Sequence, residues 1–375
     1  MSIILSSMFA GGLLLLAFLV GINSSKVNVE ANRWLGMFFG CAFLIVLGSL
    51  LNAQGLYQRF PHLIEIDDLA GFFAPPAFYL AILAFTNPSD KSWKQVGYFS
   101  LFVIALMLLM PVLIQSGEAK KALIDLPKHE VIGSKWLLNL LTALFHLQFL
   151  LFWILSIIRV RKHQRDLNLI VSNKESIDLK WLEHFLYGLL PIIVLAALQL
   201  YFPKDWVLAT GRIVELTGVI WIGHFAVRQQ EIYAFSEESK REIGELISHQ
   251  SEQQLLSQED IKTYQSKLEE LMIEHKLFKD PSLSLPALAK QLSVSTHQTS
   301  FLLNKGFGKS FFEYINKYRV EEAKRLLKNE ENNRFSLVGI GYEAGFNSKS
   351  AFNATFKKAV GQTPGEYKRL GRDDT

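Results

Sequence analysis

The sequence predicts an all-α protein in which a seven-helix transmembrane bundle precedes a polar, helical C-terminal region. The charges support this fold class: residues 1–228 carry 18 Lys/Arg and 14 Asp/Glu, whereas the shorter stretch 229–375 carries 21 of each. The first region also contains repeated uncharged windows of the roughly 20 residues that a helix needs to cross a bilayer. Half of the 375 residues are apolar, which excludes a disordered chain, and the single Cys41 excludes a disulfide framework or a cysteine metal site.

The first 228 residues form the predicted transmembrane domain. Its seven windows are 1–25, 34–53, 69–89, 95–117, 136–158, 181–202 and 206–227. The first window lacks the basic segment of a secretory signal and is followed by further windows of the same kind, so we interpret it as a retained helix. Four tryptophans fall at window edges, where an aromatic ring can lie among lipid headgroups: Trp93, Trp136, Trp181 and Trp206.

The lysine and arginine counts of the loops predict the orientation of this domain. If the C-terminus is inside, the inside loops 23–33, 90–94 and 159–180 carry 2, 2 and 6 Lys/Arg, against a total of 6 in the outside loops. Positive residues collect on the cytoplasmic side of membrane proteins. We therefore expect a multi-pass protein of the bacterial inner membrane with a cytoplasmic C-terminal region.

One pair of opposite charges lies inside a predicted span. Arg212 and Glu215 are three residues apart, on one face of the seventh helix. Charge within the bilayer is costly and often functional, so the pair is a candidate ligand or gating contact. Alternatively, Arg212 extends to the outer surface and Glu215 accompanies it as its counter-ion. No histidine pair has the spacing of a zinc motif, so we predict no catalytic residue and no metal site.

An acidic helical connector follows at residues 229–270. Residues 229–278 hold 5 Lys/Arg, 11 Asp/Glu and no proline, a composition that favours helix. A short apolar stripe recurs at helical spacing: Ile261, Tyr264, Leu268 and Leu271. The stripe permits a dimeric coiled coil, but we favour residues 261–278 as the opening helix of the next domain. A homodimer contact further upstream is permitted without being required.

The last predicted domain, residues 271–375, is basic and repeats one helical layout. Residues 279–375 carry 16 Lys/Arg and 10 Asp/Glu, which suits a polyanionic partner. Residues 285–292 form a predicted helix, Ser293–Ser295 a turn, and Thr296–Lys305 a second helix that Gly306 and Gly308 end. Helix, tight turn and helix is an arrangement that places the second helix in the major groove of DNA.

A long helix at 311–327 then leads to a second copy of this layout. Leu337, Ile340 and Ala344 mark one helix, Gly345–Phe346 a turn, and Asn347 or Ser348 the cap of the next helix. In that last helix Phe352 and Phe356 face the predicted core. The sequence thus predicts a double helix-turn-helix domain.

These residues resemble the AraC/XylS-type transcription regulators. The resemblance covers roughly residues 270–370 and is carried by GYEAGFNSKSAFNATFKKAVGQTPGEYKR, Gly341 to Arg369, and by INKYRVEEAKRLL, Ile315 to Leu327. It implies two helix-turn-helix units joined by a rigid helix, with two recognition helices that enter successive major grooves. The span pattern is similar to that of a membrane-bound subgroup of the family.

The resemblance implies a set of DNA-binding residues in the two recognition helices. They are Thr296, His297, Ser300, Asn304 and Lys305 in the first, and Lys349, Ser350, Asn353 and Lys357 in the second. Within the second, Lys349, Ser350 and Asn353 are expected at bases and Lys357 at phosphate. Three positions depart from the family pattern: Phe301 replaces a polar or basic residue, Thr299 a buried leucine and Gly341 an alanine.

We therefore expect a membrane-bound, sequence-specific transcription regulator that is not an enzyme and uses no cofactor. The expected partners are double-stranded DNA, the lipid bilayer, an unidentified stimulus or ligand, the transcription machinery and a second copy of the chain. In the alternative interpretation, the membrane domain is a transporter or an enzyme and the DNA-binding domain regulates its own gene.

Overall fold

The structure, a computed structural model, describes residues 2–22, 28–86, 93–124, 126–172, 179–188, 256–329 and 335–373, with single positions between 210 and 224. Over this part of the chain the secondary structure is helical and contains no β-strand beyond one isolated antiparallel bridge, Val171 to Ser284. The all-α prediction is confirmed.

The chain divides into two compact units. The first comprises Met1–Lys162 and Leu179–Ile232, and the second comprises His163–Asp178 and Tyr233–Thr375. The segment 163–178, which sequence reasoning assigned to the transmembrane domain, therefore belongs to the same compact unit as the C-terminal helices.

Seven α-helices of the first unit lie wholly within the described residues, and residues 180–188 are also helical. The seven helices are α1 Ser2–Ile22, α2 Val29–Ala53, α3 Ile66–Thr86, α4 Ser100–Leu113, α5 Gly117–Leu123, α6 Lys128–Val131 and α7 Lys135–Ile170, the last of which continues into the second unit. Five helical segments are long and apolar enough to cross a membrane: Ile3–Ile22, Val29–Ala53, Pro61–Thr86, Gln95–Leu113 and Lys135–Leu167. They coincide with the first five predicted windows.

The sixth and seventh windows lie largely outside the described residues, so the count of seven spans stays a prediction. Arg212 and Glu215 also lie outside them. Their interpretation as a functional pair is therefore unchanged.

Small residues bring the first three helices together. A Cβ atom on Gly36 of α2 would lie 3.0 Å from the Cα of Gly21 in α1, and one on Gly48 would lie 2.5 Å from Cγ of Asp67 in α3. Helices that associate in lipid use such small residues to approach closely. By contrast, Ile4, Phe18 and many other apolar side chains point outward, as expected for a surface that faces hydrocarbon.

The second unit contains seven further helices among its described residues. They are α8 Gln258–Ile273, α9 Leu285–Leu292, α10 Thr296–Phe301, α11 Phe311–Lys328, α12 Leu337–Glu343, α13 Lys349–Val360 and α14 Pro364–Asp373. α8 to α10 and the first half of α11 enclose one core, which includes Leu288, Leu302 and Phe311. The second half of α11 and the helices after it enclose another core, around Phe352 and Phe356.

α8 settles the two interpretations of the apolar stripe after residue 260. Leu268 and Met272 are fully buried in the first core, and Ile261, Tyr264 and Leu271 pack against it. The prediction that this segment opens the next domain is confirmed. Because α8 begins at Gln258, it also extends across the predicted boundary at residue 270.

Serine side chains fix where these helices begin. The N-cap serines accept a hydrogen bond from the third residue of the helix, at Ser257, Ser284, Ser295, Ser310, Ser336 and Ser348. Three of the six, Ser257, Ser295 and Ser310, form complete capping boxes. Such caps satisfy backbone N–H groups that have no partner within the helix. Of the two alternatives for α13, Ser348 is the cap.

Candidate nucleic-acid interface

The first helix-turn-helix unit consists of α9, a three-residue turn and α10. Ser293 ends α9 in the left-handed region, with φ of 60°, and the N–H of Val294 donates to the carbonyl of Ala289 at 3.1 Å. Ser295 then caps α10. The turn predicted at Ser293–Ser295 is confirmed, and its tightness follows from the two serines that close one helix and open the next.

The first recognition helix ends in a π-helical turn. The α-helix covers Thr296–Phe301, and residues Leu302–Gly306 continue it as a π-helix. The side chain of Gln265 in α8 donates to the carbonyl of Gly306 at 2.6 Å and so gives this backbone carbonyl, at the end of the π-helix, a hydrogen-bond partner. The predicted extent of the helix is correct, but a π-helix turns through fewer degrees per residue than an α-helix, so Asn304 and Lys305 point in directions that differ from those of a regular α-helix.

Two of the five residues predicted in this helix are not at the surface. Thr296 is 1% exposed and Ser300 is 8% exposed, so neither is presented at the surface, and their contact with DNA stays a prediction. Both are short side chains that stay close to the helix backbone, and the amide of Asn304 lies 3.4 Å from the Ser300 hydroxyl. His297 is half-buried, and Asn304 and Lys305 are exposed.

The second helix-turn-helix unit presents its predicted residues outward. The turn lies between α12 and α13, where Gly345 has φ of 96°, a conformation open to glycine at little cost. On α13, Lys349, Ser350 and Lys357 are exposed and Asn353 is half-buried. At 100° per residue, the four side chains fall within one arc of about 100°, which forms a single polar face. Phe352 and Phe356 lie on the side of the helix next to this arc, in the core.

The structure explains two of the three departures from the family pattern. Thr299 is fully buried, and its hydroxyl donates to the carbonyl of Ser295 at 3.0 Å, so it occupies the core position of the usual leucine. A Cβ atom on Gly341 would lie 2.8 Å from the ring of Phe352, so an alanine there would require this ring to move. Phe301 is half-buried.

A buried arginine, which sequence reasoning missed, joins the two helix-turn-helix units. Arg319 on α11 is fully buried; its Nε donates to the carbonyl of Phe278 at 2.7 Å and its Nη2 to the carbonyl of Asp280 at 2.8 Å. Its guanidinium also lies 5.9 Å from the ring of Phe346, in the turn of the second helix-turn-helix unit. Burial lowers the pKa of Arg319 to about 9, so the side chain is still cationic near neutral pH.

Gly345 completes this junction. A Cβ atom at Gly345 would lie 2.4 Å from the carbonyl oxygen of Phe278 and 3.1 Å from Nε of Arg319. Only glycine adopts this positive φ at little cost and also leaves room for the backbone of Phe278 to approach so closely. Three elements are thus in direct contact: the segment before the first helix-turn-helix unit, the linking helix, and the turn of the second helix-turn-helix unit. This contact fixes the two helix-turn-helix units relative to each other.

An ion-pair network supports the same junction. Glu322 of α11 is buried and accepts from Arg325 at 2.8 Å and from Lys279 at 2.9 Å. The hydrogen bonds from Arg325 and then from Lys279 lower the pKa of the Glu322 carboxyl to about 2, against the opposing effect of burial. Lys279 belongs to the segment before the first helix-turn-helix unit. The network therefore also connects that segment to α11.

Comparison with known proteins identifies this domain. A helix-turn-helix domain model matches residues 288–370. The chain is 32% identical over 95 residues to a Streptomyces lividans protein described as an AraC-like transcription regulator. It is 26% identical over 93 residues to the melibiose operon regulatory protein of Escherichia coli and 26% over 89 residues to the arabinose operon regulatory protein.

Residues 288–370 form an AraC/XylS-type helix-turn-helix domain. The matches cover about a quarter of this chain, and they span about 30% of the length of each of these relatives. No solved structure matches the chain. The AraC-type domain is thus shared with transcription regulators, and the matches do not extend to the apolar helices before it.

Proposed function

We propose that the protein is a membrane-bound, sequence-specific transcription regulator in which an AraC-type domain is the output. The polar face of α13, with Lys349, Ser350, Asn353 and Lys357 on one arc, is the observation that carries this proposal. The family match supports DNA as the partner of that face. Five apolar helices on the same chain support a membrane location.

Within the face, the proposed roles follow from side-chain chemistry. Lys349, Ser350 and Asn353 lie at the start of α13 and contact base edges, whereas Lys357 lies one turn further on and contacts phosphate. In the first recognition helix, His297, Asn304 and Lys305 are the accessible members of the set. Direct readout therefore rests mainly on α13, and the first helix contributes positioning contacts.

We further propose that α7 carries the signal to the AraC-type domain. Within the second unit, the hydroxyl of Ser172 donates to the carbonyl of Leu283 at 3.0 Å, and the amide of Asn316 donates to the carbonyl of Ser172 at 3.1 Å. Leu283 precedes α9, and Asn316 lies on the linking helix. A displacement of α7 would therefore act on both ends of the first helix-turn-helix unit, in addition to any effect through the acidic connector.

Salt dependence tests DNA binding by this face. We expect the affinity of the protein, reconstituted in nanodiscs, to fall steeply with salt on duplex DNA, since log affinity changes by about 0.9 per phosphate contacted for each log unit of salt. Lys357→Gln should reduce that slope by about 1 on every sequence. Lys262→Gln is the matched control, because Lys262 is an exposed lysine on α8 and belongs to neither recognition helix. A salt-independent affinity would end the proposal.

The membrane location needs its own experiment. Reporter fusions in loops 118–135 and 159–180 should give opposite results, the first outside and the second cytoplasmic. If both loops report the same side, or the protein partitions with the soluble fraction, the proposed topology is wrong even where the domain binds DNA.

A further inference from the structure

A cavity of about 260 Å³ lies in the first unit, between α2, α3, α4 and α7. Its wall is mainly apolar and includes Phe72 of α3, Leu109 of α4 and Phe145 of α7. A cavity of about 150 Å³ can hold benzene. The cavity therefore has room for a small molecule of one ring or a branched alkyl chain together with a polar group.

One end of the cavity is charged. Glu65, Asp67, Asp68 and Lys128 line it, which places three carboxylates beside one ammonium. Lys128 is hydrogen-bonded to Asp68. The cation in this cluster is thus already committed to one carboxylate, and Asp68 is in turn hydrogen-bonded to Glu65, so three acidic side chains share a single cation.

Glu65 is hydrogen-bonded to Asp68, but one of its two carboxyl oxygens lacks a partner. Its side chain is 8% exposed, and its Oε2 atom has no hydrogen-bond donor among the described residues. The nearest cation, Nζ of Lys128, is 3.9 Å away, beyond hydrogen-bonding distance. A buried carboxylate oxygen without a donor is costly to maintain. A bound molecule that supplies a charged N–H group would remove this cost.

We propose that the cavity binds a small primary amine whose ammonium group donates to Glu65 and whose apolar body packs against Phe72, Leu109 and Phe145. A mostly apolar cavity with a few convergent polar groups is the usual form of a small-molecule site. A carboxylate ligand is disfavoured, because it would meet three acidic side chains and only one cation. The proposal deepens the proposed function, since it rests on that function for the role of the amine as the stimulus.

An ammonium group could reach the site from two sources, a free amine or the headgroup of an aminophospholipid. The cavity volume favours the free amine, and the lipid composition of the nanodisc separates the two. Phosphatidylcholine nanodiscs contain no primary amine. If added phosphatidylethanolamine then weakens the binding of a free amine, the ammonium site stands and the lipid headgroup is a source for it.

The test is a calorimetric titration of the full chain in phosphatidylcholine nanodiscs. The probes are phenethylamine, isopentylamine and ethylamine, with phenethyl alcohol and phenylpropionate as neutral and anionic controls. We expect saturable binding of at least one of the two larger amines and none of either control. No saturable binding of any amine at millimolar concentration would overturn the proposal, and so would equal binding of phenethyl alcohol.

Variants assign the binding to this cavity. Glu65→Gln should weaken amine binding by roughly 10- to 100-fold, the range expected for a hydrogen bond to a charged group. Glu118→Gln is the matched control and should change nothing, because Glu118 is an exposed carboxylate on α5 outside the cavity. Leu109→Phe, which fills the cavity and leaves Glu65 in place, should also weaken binding. If Glu65→Gln does not fold, the Leu109→Phe variant is the test of the cavity. Unchanged amine affinity in folded Leu109→Phe would contradict the proposed site.

The same protein separates this proposal from the proposed function. Amine binding is measured without DNA, and DNA affinity is measured first without amine and then with saturating amine. If amines bind and DNA affinity stays unchanged, the cavity is a site and the sensor coupling is wrong. If DNA binds normally and no amine binds, the cavity proposal alone fails.

Discussion

Replacing the buried arginine at the junction of the two helix-turn-helix units gives the sharpest test of how the domain is held together. In Arg319→Met the aliphatic stem is largely preserved, but the carbonyls of Phe278 and Asp280 lose donors at 2.7 and 2.8 Å. A buried acceptor left without a donor costs about 1 to 3 kcal/mol. The loss is partly offset, because Nη1 of Arg319 has no hydrogen-bond partner among the described residues and its burial is itself unfavourable.

The expected net loss is about 2 to 4 kcal/mol of unfolding free energy. Urea denaturation of the fragment 256–375, which contains both cores of the domain, measures it by circular dichroism. Lys317→Met on the same helix is the control, because Lys317 is exposed and should change stability by less than about 0.5 kcal/mol. If Arg319→Met unfolds at the same urea concentration as the parent fragment, the junction does not hold the units as argued.

Three further predictions concern DNA recognition, pH and coupling. Lys349→Gln should cost about 1 to 3 kcal/mol on the preferred DNA sequence and less on others, as measured by competition binding; an equal loss on all sequences would make Lys349 a phosphate contact. The pKa of Glu322 is lowered in the folded state, so its stabilising contribution is complete above the ordinary carboxyl range and is lost as pH falls from about 4.5 towards 2. Urea melts across that range should therefore show a smaller loss for Glu322→Gln than for the parent, and parallel pH profiles would contradict the assignment. Asn316→Leu removes a hydrogen bond to Ser172 and should shift the DNA affinity of the full chain towards that of the fragment 256–375, whereas an unchanged difference between the two would count against coupling through α7.

Much of the C-terminal domain was predictable because its signals are local. Serine caps and glycine turns act within three or four residues of their own position, so the starts of α10 and α13 and the turn at Gly345 follow from the sequence itself. The five long apolar helices were predictable for a related reason, because the length of an uncharged run decides whether a helix could cross a bilayer.

The features that sequence reasoning missed depend on contacts between distant parts of the chain. Arg319 reads as one more exposed charge in a basic helix, and only the approach of residues 278–280 buries it. Thr296 and Ser300 fit the expected recognition face, but the exposure of a short side chain depends on its neighbours. The position of Glu65 beside a cavity wall from α4 and α7 likewise has no local signature, since the lining residues on those helices lie 40 or more positions after Glu65 in the sequence.

Crosslinking of the intact protein to the chromosome, followed by purification from the membrane fraction and sequencing of the attached DNA, tests the central claim most directly. We expect a small set of enriched sites that share one sequence, with enrichment abolished in the double variant Lys349→Gln, Lys357→Gln at unchanged protein level. DNA recovered without sequence preference from both proteins, or no DNA in the membrane fraction, would contradict the claim that this chain reads DNA while it is embedded in the bilayer.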